Sequence, residues 1–332
     1  MADTLNAIEI ARYGRPALAM RMLGWGILAI LAGFLINNVL VVGYDMPNLG
    51  SFLNGSAGLY GYVPLAVYVG CIGAAMVHVF RDKNISLRFD ADRLHRFNKY
   101  IIRAVFWSVF FVGVVDATIA QMRVENLLPI FFNEDVVRGL GRSAYVGPYV
   151  HVPLIIAGCI LALFTRTLGF TWLALLIVIA ELLIVFMRFV FSYEQALMGD
   201  LVRYWYAALF LFASAYTLYD EGHVRVDILY AGLKTKTRGF LNAIGSLFLG
   251  ITTASVILAI GLGGKTAIIN APVANWEITQ TGSVGMFVKY QMAAFLAIFA
   301  ITMIIQFVSY LFEAVADYRE EPGHREHQPV AH

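Results

Sequence analysis

Charge is what this sequence has least of. Only 14% of its 332 residues are Asp, Glu, Lys or Arg, while 60% are hydrophobic. A water-soluble domain carries about 25% charged residues, so most of the surface of this chain does not face water. Cysteine is nearly missing: Cys71 and Cys159 are the only two, each inside an apolar run. A disulfide framework is therefore not expected, and both read as small buried thiols. No GxxxxGK[S/T] loop is present, so ATP hydrolysis is not expected, and no nucleic-acid module is visible. The seven histidines include no HxxxH or HxxH pair within an apolar run. His78 and His151 fall in such runs but near opposite membrane faces, so they do not share one haem iron. A membrane redox enzyme is disfavoured. The tail EPGHREHQPVAH, from Glu321, reads as a flexible end rather than a metal site. Acidic Asp3 and Glu9 precede a first apolar run too long for a signal peptide, so no cleavable leader is expected.

Long apolar runs, by contrast, are plentiful. Eight recur, at roughly 17–42, 61–80, 101–121, 147–165, 169–191, 200–219, 241–263 and 287–312. Each is long enough, or nearly so, to cross about 30 Å of hydrocarbon as a helix. In lipid every backbone polar group must be satisfied within the element or a closed barrel, so runs of this length read as helices. The fold class is all-α: a polytopic integral membrane protein of about eight transmembrane helices. Fifteen of the 24 lysines and arginines lie in 1–16, 81–100, 166–168, 220–240 and 313–332. Four lie in the opposite loops, 43–60, 122–146, 192–199 and 264–286, and five fall in or at the ends of runs. Basic residues collect on the cytoplasmic side, so both termini are expected there.

The few charges inside the runs are the candidate functional groups. Glu181 falls mid-way along the fifth run, where a bare charge costs on the order of several kcal/mol. Arg188 shares its face but stands ~10 Å along the axis, too far for a direct pair. Asp116 sits in the outer half of the third run. Either carboxylate would suit a proton or sodium relay, but a buried latch to another helix or a partner subunit is the favoured reading. Arg21, Arg103 and Arg203 lie near run ends, where their heads can snorkel to water. Asn37 and Asn38 are placed to bond across helices, and Gly24, Gly26, Gly33, Gly245, Gly250 and Gly261 permit close helix approach.

One polar segment stands out. DEGHVRVDIL, Asp220 to Leu229, interrupts two apolar runs and alternates charges with Val224, Val226 and Ile228. With the run before it, WYAALFLFASAYTLYDEGHVRVDIL from Trp205, it resembles the signature region of the small permease subunit (DctQ family) of tripartite ATP-independent periplasmic (TRAP) transporters. The matching residues are Gly222, His223, Val224, Arg225, Val226 and Asp227. Upstream, MRFVFSYE from Met187 is similar to the end of that family's first span, and NWEI from Asn275, with Trp276, falls where members carry a Trp-and-Glu loop. The likeness covers roughly 168–318. It implies a non-catalytic helical scaffold that braces a large elevator-type permease subunit, with a periplasmic binding protein delivering an organic acid. It also implies an inner-membrane location. No cofactor is expected on this chain; the sodium gradient would be used by the large subunit. The interface or structural candidates are Glu181, Arg188, Arg203, Gly222, His223, Arg225, Asp227 and Trp276.

The family's usual small subunit has four spans, and this chain has four more before them. The expected organisation is a membrane extension over 1–166, a small-permease-like domain over 167–318 and a flexible cytoplasmic tail over 319–332. A shift of 139 residues lays several spans of the first half on the second, a spacing that allows two parallel four-helix units. The competing functional reading is a self-sufficient ion-coupled transporter that uses Glu181 and Asp116.

Overall fold

The computed structural model describes residues 15–55, 58–166, 169–219, 230 and 232–323. Among the described residues, eight helices are long and apolar enough to span a membrane. They are α1 (Leu18–Tyr44), α2 (Leu59–Arg81), α3 (Leu87–Val124), α4 (Ser143–Phe164), α5 (Phe170–Phe191), α6 (Ala196–Tyr219), α7 (Thr235–Gly261) and α8 (Lys289–Tyr318). No strand occurs among the described residues. All eight coincide with the apolar runs, because in each the backbone can satisfy itself only as a helix.

The main difference from the sequence reading is α3. It has 38 residues and begins well before its apolar run, taking in Arg88, Asp90, Asp92, Arg93 and Arg96. That charged stretch is not a loop. It is helical because its inward-facing side chains bury polar contacts: Arg88, Asp90, His95 and Asn98 are all nearly covered. The fourth span opens on a π turn, Gly147–His151, which absorbs Pro148 and its missing amide. A second π turn, Gly245–Ile251, interrupts α7. α5 starts at Gly169, whose φ of +82° is costly for a residue with a Cβ.

The chain forms two compact units. The first holds the residues through Asn98, Ala215–Lys265 and those from Ala300 onward; the second holds Lys99–Ser214 and Thr266–Phe299. Each unit therefore draws on both halves of the sequence. Within the units, α3 and α8 are the most enclosed spans, with 44% and 50% of their most apolar window buried, while α5 has only 6%. The least covered span is thus the most apolar one.

Some small residues sit where helices meet. In the first unit Gly24 of α1 lies against Phe312 and Val308 of α8, and Gly33 lies against Tyr68 of α2. In the second, a Cβ on Gly158 of α4 would stand 2.5 Å from the Ser108 backbone of α3. Gly250 meets Phe307, whereas Gly245 meets nothing within 4 Å. Asn37 donates to the Pro64 carbonyl at 3.1 Å, the expected cross-helix bond. Both cysteines are free and partly covered rather than fully buried.

Sidedness can be read from exposed positions. With Cys71 and Cys159 removed, a cysteine at Asn84 should resist an impermeant thiol reagent added from the periplasm, and one at Ser283 should react. Reaction at Asn84 but not Ser283 would reverse the topology drawn from the basic residues.

Candidate functional site

A charge within a membrane span must find a partner or leave the hydrocarbon. In the first unit, Arg21 finds one. It does not snorkel: its side chain and that of Asp90 are both 0% exposed, with Nε donating to Asp90 Oδ2 at 2.7 Å. Its Nη1 donates to the Asp82 carbonyl at 2.5 Å, and Trp25 Nε1 donates to the same Asp90 oxygen at 3.0 Å. The correction has a simple cause. α3 extends far enough to present Asp90 to α1, which the sequence reading placed in a loop.

The seam between α3 and α8 is polar along its length in this unit. Arg88 donates to Glu313 at 2.6 Å and Asp317 at 2.8 Å, and to the carbonyls of Glu321 and Pro322, both at 2.9 Å. Those last two bonds fold the chain back after α8. Burial there pushes the Glu321 carboxyl up, against the pull of Arg319, Arg88 and Arg15. Asn98 donates to the Thr302 carbonyl at 3.0 Å and to Gln306 at 3.3 Å, His95 lies 3.2 Å from the same Gln306 oxygen, and Ser309 donates to the Ala91 carbonyl at 2.7 Å.

The second unit continues the pattern with a buried chain of hydrogen bonds. Tyr204 donates to Gln291 Oε1. Gln291 Nε2 donates to Tyr290 Oη at 3.0 Å, so the Tyr290 hydroxyl proton is free to point at His151 Nδ1, 2.8 Å away. That assignment leaves the imidazole proton on Nε2, which lies 3.2 Å from Asp116 Oδ1, an ion-pair distance rather than an aligned bond. The other Asp116 oxygen accepts the Phe287 amide at 2.7 Å. Asp116 and His151 are both 0% exposed. Trp276, at φ +50°, covers Gly147 and meets the Tyr290 ring edge-on at 4.9 Å.

Two further clamps sit in this unit. Asp200, 1% exposed, accepts from Thr279 at 3.1 Å, Thr281 at 3.0 Å and the Met286 amide at 3.1 Å. Arg123 donates to the carbonyls of Ser283 at 2.5 Å, Gly285 at 2.6 Å and Leu140 at 3.0 Å, with its guanidinium 4.0 Å from the centre of the Phe287 ring. These clamps fix the segment that leads into α8.

The other sequence candidates are dispersed. Glu181 lies exposed on α5 with no ion pair or hydrogen bond among the described residues. Arg188 pairs with Glu194 at 3.4 Å, not with Glu181, and both partners are exposed. Arg203 is 69% exposed, as snorkelling requires, and bonds the Gly199 carbonyl and Asp200. Gly222, His223, Arg225 and Asp227 lie outside the described residues. Of the described candidates, Trp276 and Asp116 join the buried network. Among the described residues no three His, Cys, Asp or Glu side chains gather as metal ligands.

Residues 174–317 match the family model described as tripartite ATP-independent periplasmic transporters, DctQ component. That segment, from within α5 to the end of α8, is similar to the DctQ family. No curated protein and no solved structure matches the chain. The protein is a multi-pass transport component of the inner membrane, with eight apolar helices among the described residues, four of which precede the DctQ segment. The buried polar contacts repeatedly join the DctQ segment to those preceding spans. Arg88 with Glu313 and Asp317, Asn98 with Gln306, Asp116 with Phe287, and His151 with Tyr290 all do so.

Breaking one partner of a buried pair leaves an uncompensated charge and costs about 3–5 kcal/mol. Arg21→Met should therefore lower the thermal unfolding midpoint in detergent sharply. Adding Asp90→Leu should recover at least half of the loss, because the pair is then replaced by apolar side chains.

Proposed function

We propose that this chain is the small, non-catalytic scaffold subunit of a TRAP transporter that imports an organic acid. The observation that carries the reading is the DctQ match across α5–α8. In this reading residues 1–166 are a membrane extension, 167–318 the small-permease domain and 319–332 a cytoplasmic tail. A large elevator-type permease subunit moves the substrate and uses the sodium gradient, and a periplasmic binding protein delivers it. This chain braces the large subunit.

The distribution of polar groups supports that role. Asp90, Asp116 and Asp200 each have one carboxylate oxygen held by arginine, indole, amide or hydroxyl donors, an arrangement that supports a fixed structural role more than one that loads and releases an ion. Glu181 is the exception. It stands at the middle of the least covered span, where it needs a donor that this chain does not supply among its described residues. A polar group on the large subunit would meet that need. The competing reading, ion coupling by Glu181 and Asp116 in one site, is poorly served: Asp116 is sealed at 0% exposure while Glu181 faces outward.

Glu181→Gln should leave substrate uptake within a few fold of wild type while lowering the yield of complex co-purified with the large subunit. Complete loss of uptake from a normally assembled complex would assign Glu181 to ion coupling instead.

A further inference from the structure

The second unit holds a cavity of about 320 Å³ between α3 and α5. Phe106, Trp107 and Phe110 form one wall, Trp172 and Leu176 the other, and Gly169 lies at its end. The volume is at the lower end of the range for small-molecule sites, about 300–1,000 Å³. Its walls offer nothing to a polar ligand. The indole N–H of Trp107 is already spent on Thr165 Oγ1 at 2.9 Å, and Phe106 packs edge-on against Phe170. Gly169 keeps the end open, since its φ of +82° disfavours any side chain and a Cβ there would approach Phe106 at 3.8 Å.

Basic residues stand at that same end. Arg103, one turn before Trp107, donates Nη1 to the Thr165 carbonyl at 2.7 Å. Its Nη2 has no partner among the described residues and is not sealed from the surface. Arg166 is exposed and likewise without a described partner. No acid lies between Asp92 and Asp116 on the α3 side, or between Asp135 and Glu181 on the α4–α5 side. From Arg103 to Phe110 the helix rises ~10 Å, which carries the slot from headgroup depth into the hydrocarbon. A purely apolar slot, with Arg103 one turn before its wall residue Trp107 and bound to the Thr165 carbonyl next to Arg166, fits one class of ligand.

We propose that this slot holds an acyl chain of an anionic phospholipid whose phosphate rests on Arg103 and Arg166. By the distribution of basic residues this is the cytoplasmic leaflet, where anionic lipid is drawn to juxtamembrane arginine. The slot lies between a span outside the DctQ match and the first span within it. A lipid seated there fills the seam between them with hydrocarbon.

The test uses the purified full chain in detergent, titrated with phosphatidylglycerol or with phosphatidylcholine of the same acyl chains, and counts bound lipid by native mass spectrometry. The wild type should retain one phosphatidylglycerol under conditions that strip phosphatidylcholine. Arg103→Gln and Arg166→Gln should each weaken that retention about fivefold, and Arg103→Lys should stay closer to wild type. Leu176→Trp, which fills the slot, should abolish it. If that variant fails to fold, the arginine exchanges, made at partly or fully exposed positions, decide the matter. Equal retention of the two lipids overturns the proposal. So does undiminished phosphatidylglycerol binding in the Arg103→Gln, Arg166→Gln double variant, or in a folded Leu176→Trp chain.

Discussion

A guanidinium or carboxylate surrounded by hydrocarbon is tolerable only when another group meets it, and this requirement organises the two units. Arg21 with Asp90, Arg88 with Glu313 and Asp317, and Asp116 with His151 and the Phe287 amide each join helices that have little other reason to choose one another. Apolar faces in lipid gain little from meeting, since lipid tails are as apolar as leucine. Specific pairing has to come from close packing and from polar contacts. Here α3 and α8 supply both, and they are the most enclosed spans.

That arrangement gives the spans outside the DctQ match a structural role. Several of their polar side chains are paired with residues of the DctQ segment, so the two sequence halves interlock inside each unit. The buried hydrogen-bond chain runs from Tyr204 through Gln291 and Tyr290 to His151, whose other ring nitrogen stands at ion-pair distance from Asp116, and the second Asp116 oxygen accepts a backbone amide. A buried network of this kind favours one arrangement of the side chains that share it. On the proposed reading, that suits a scaffold beside a moving partner, and α5, with its uncovered apolar face and Glu181, is the element proposed to meet it.

The eight spans were legible because length and apolarity decide them, and the DctQ likeness was legible in Gly222 to Asp227. The pairings were not. Arg21 read as a snorkelling residue because its partner, Asp90, lies in a stretch whose charge made it look like a loop. Only the continuation of α3 through that stretch brings the carboxylate to α1. A signal did exist for Arg88, since acids at Glu313 and Asp317, four apart on one helical face, wait on the same side of the membrane. Asp116 and His151 likewise both lie in the outer halves of consecutive spans. Setting His151 against His78 tests only for a shared haem; its partner is the carboxylate of Asp116. Trp276 was picked out from a weak motif, and its place over Gly147 and against Tyr290 depends on a backbone turn that sequence pattern does not reveal.

The central claim is that the DctQ segment of this chain is completed by its first four spans through buried polar pairs. Co-expressing residues 1–166 and 167–332 as separate, differently tagged chains tests it directly. The account predicts that the two co-purify in detergent as a stoichiometric complex, that Arg88→Gln in the first piece greatly reduces its recovery, and that 167–332 expressed alone aggregates or is degraded. A monodisperse 167–332 that unfolds cooperatively by itself, at the same midpoint as the intact chain, would contradict it.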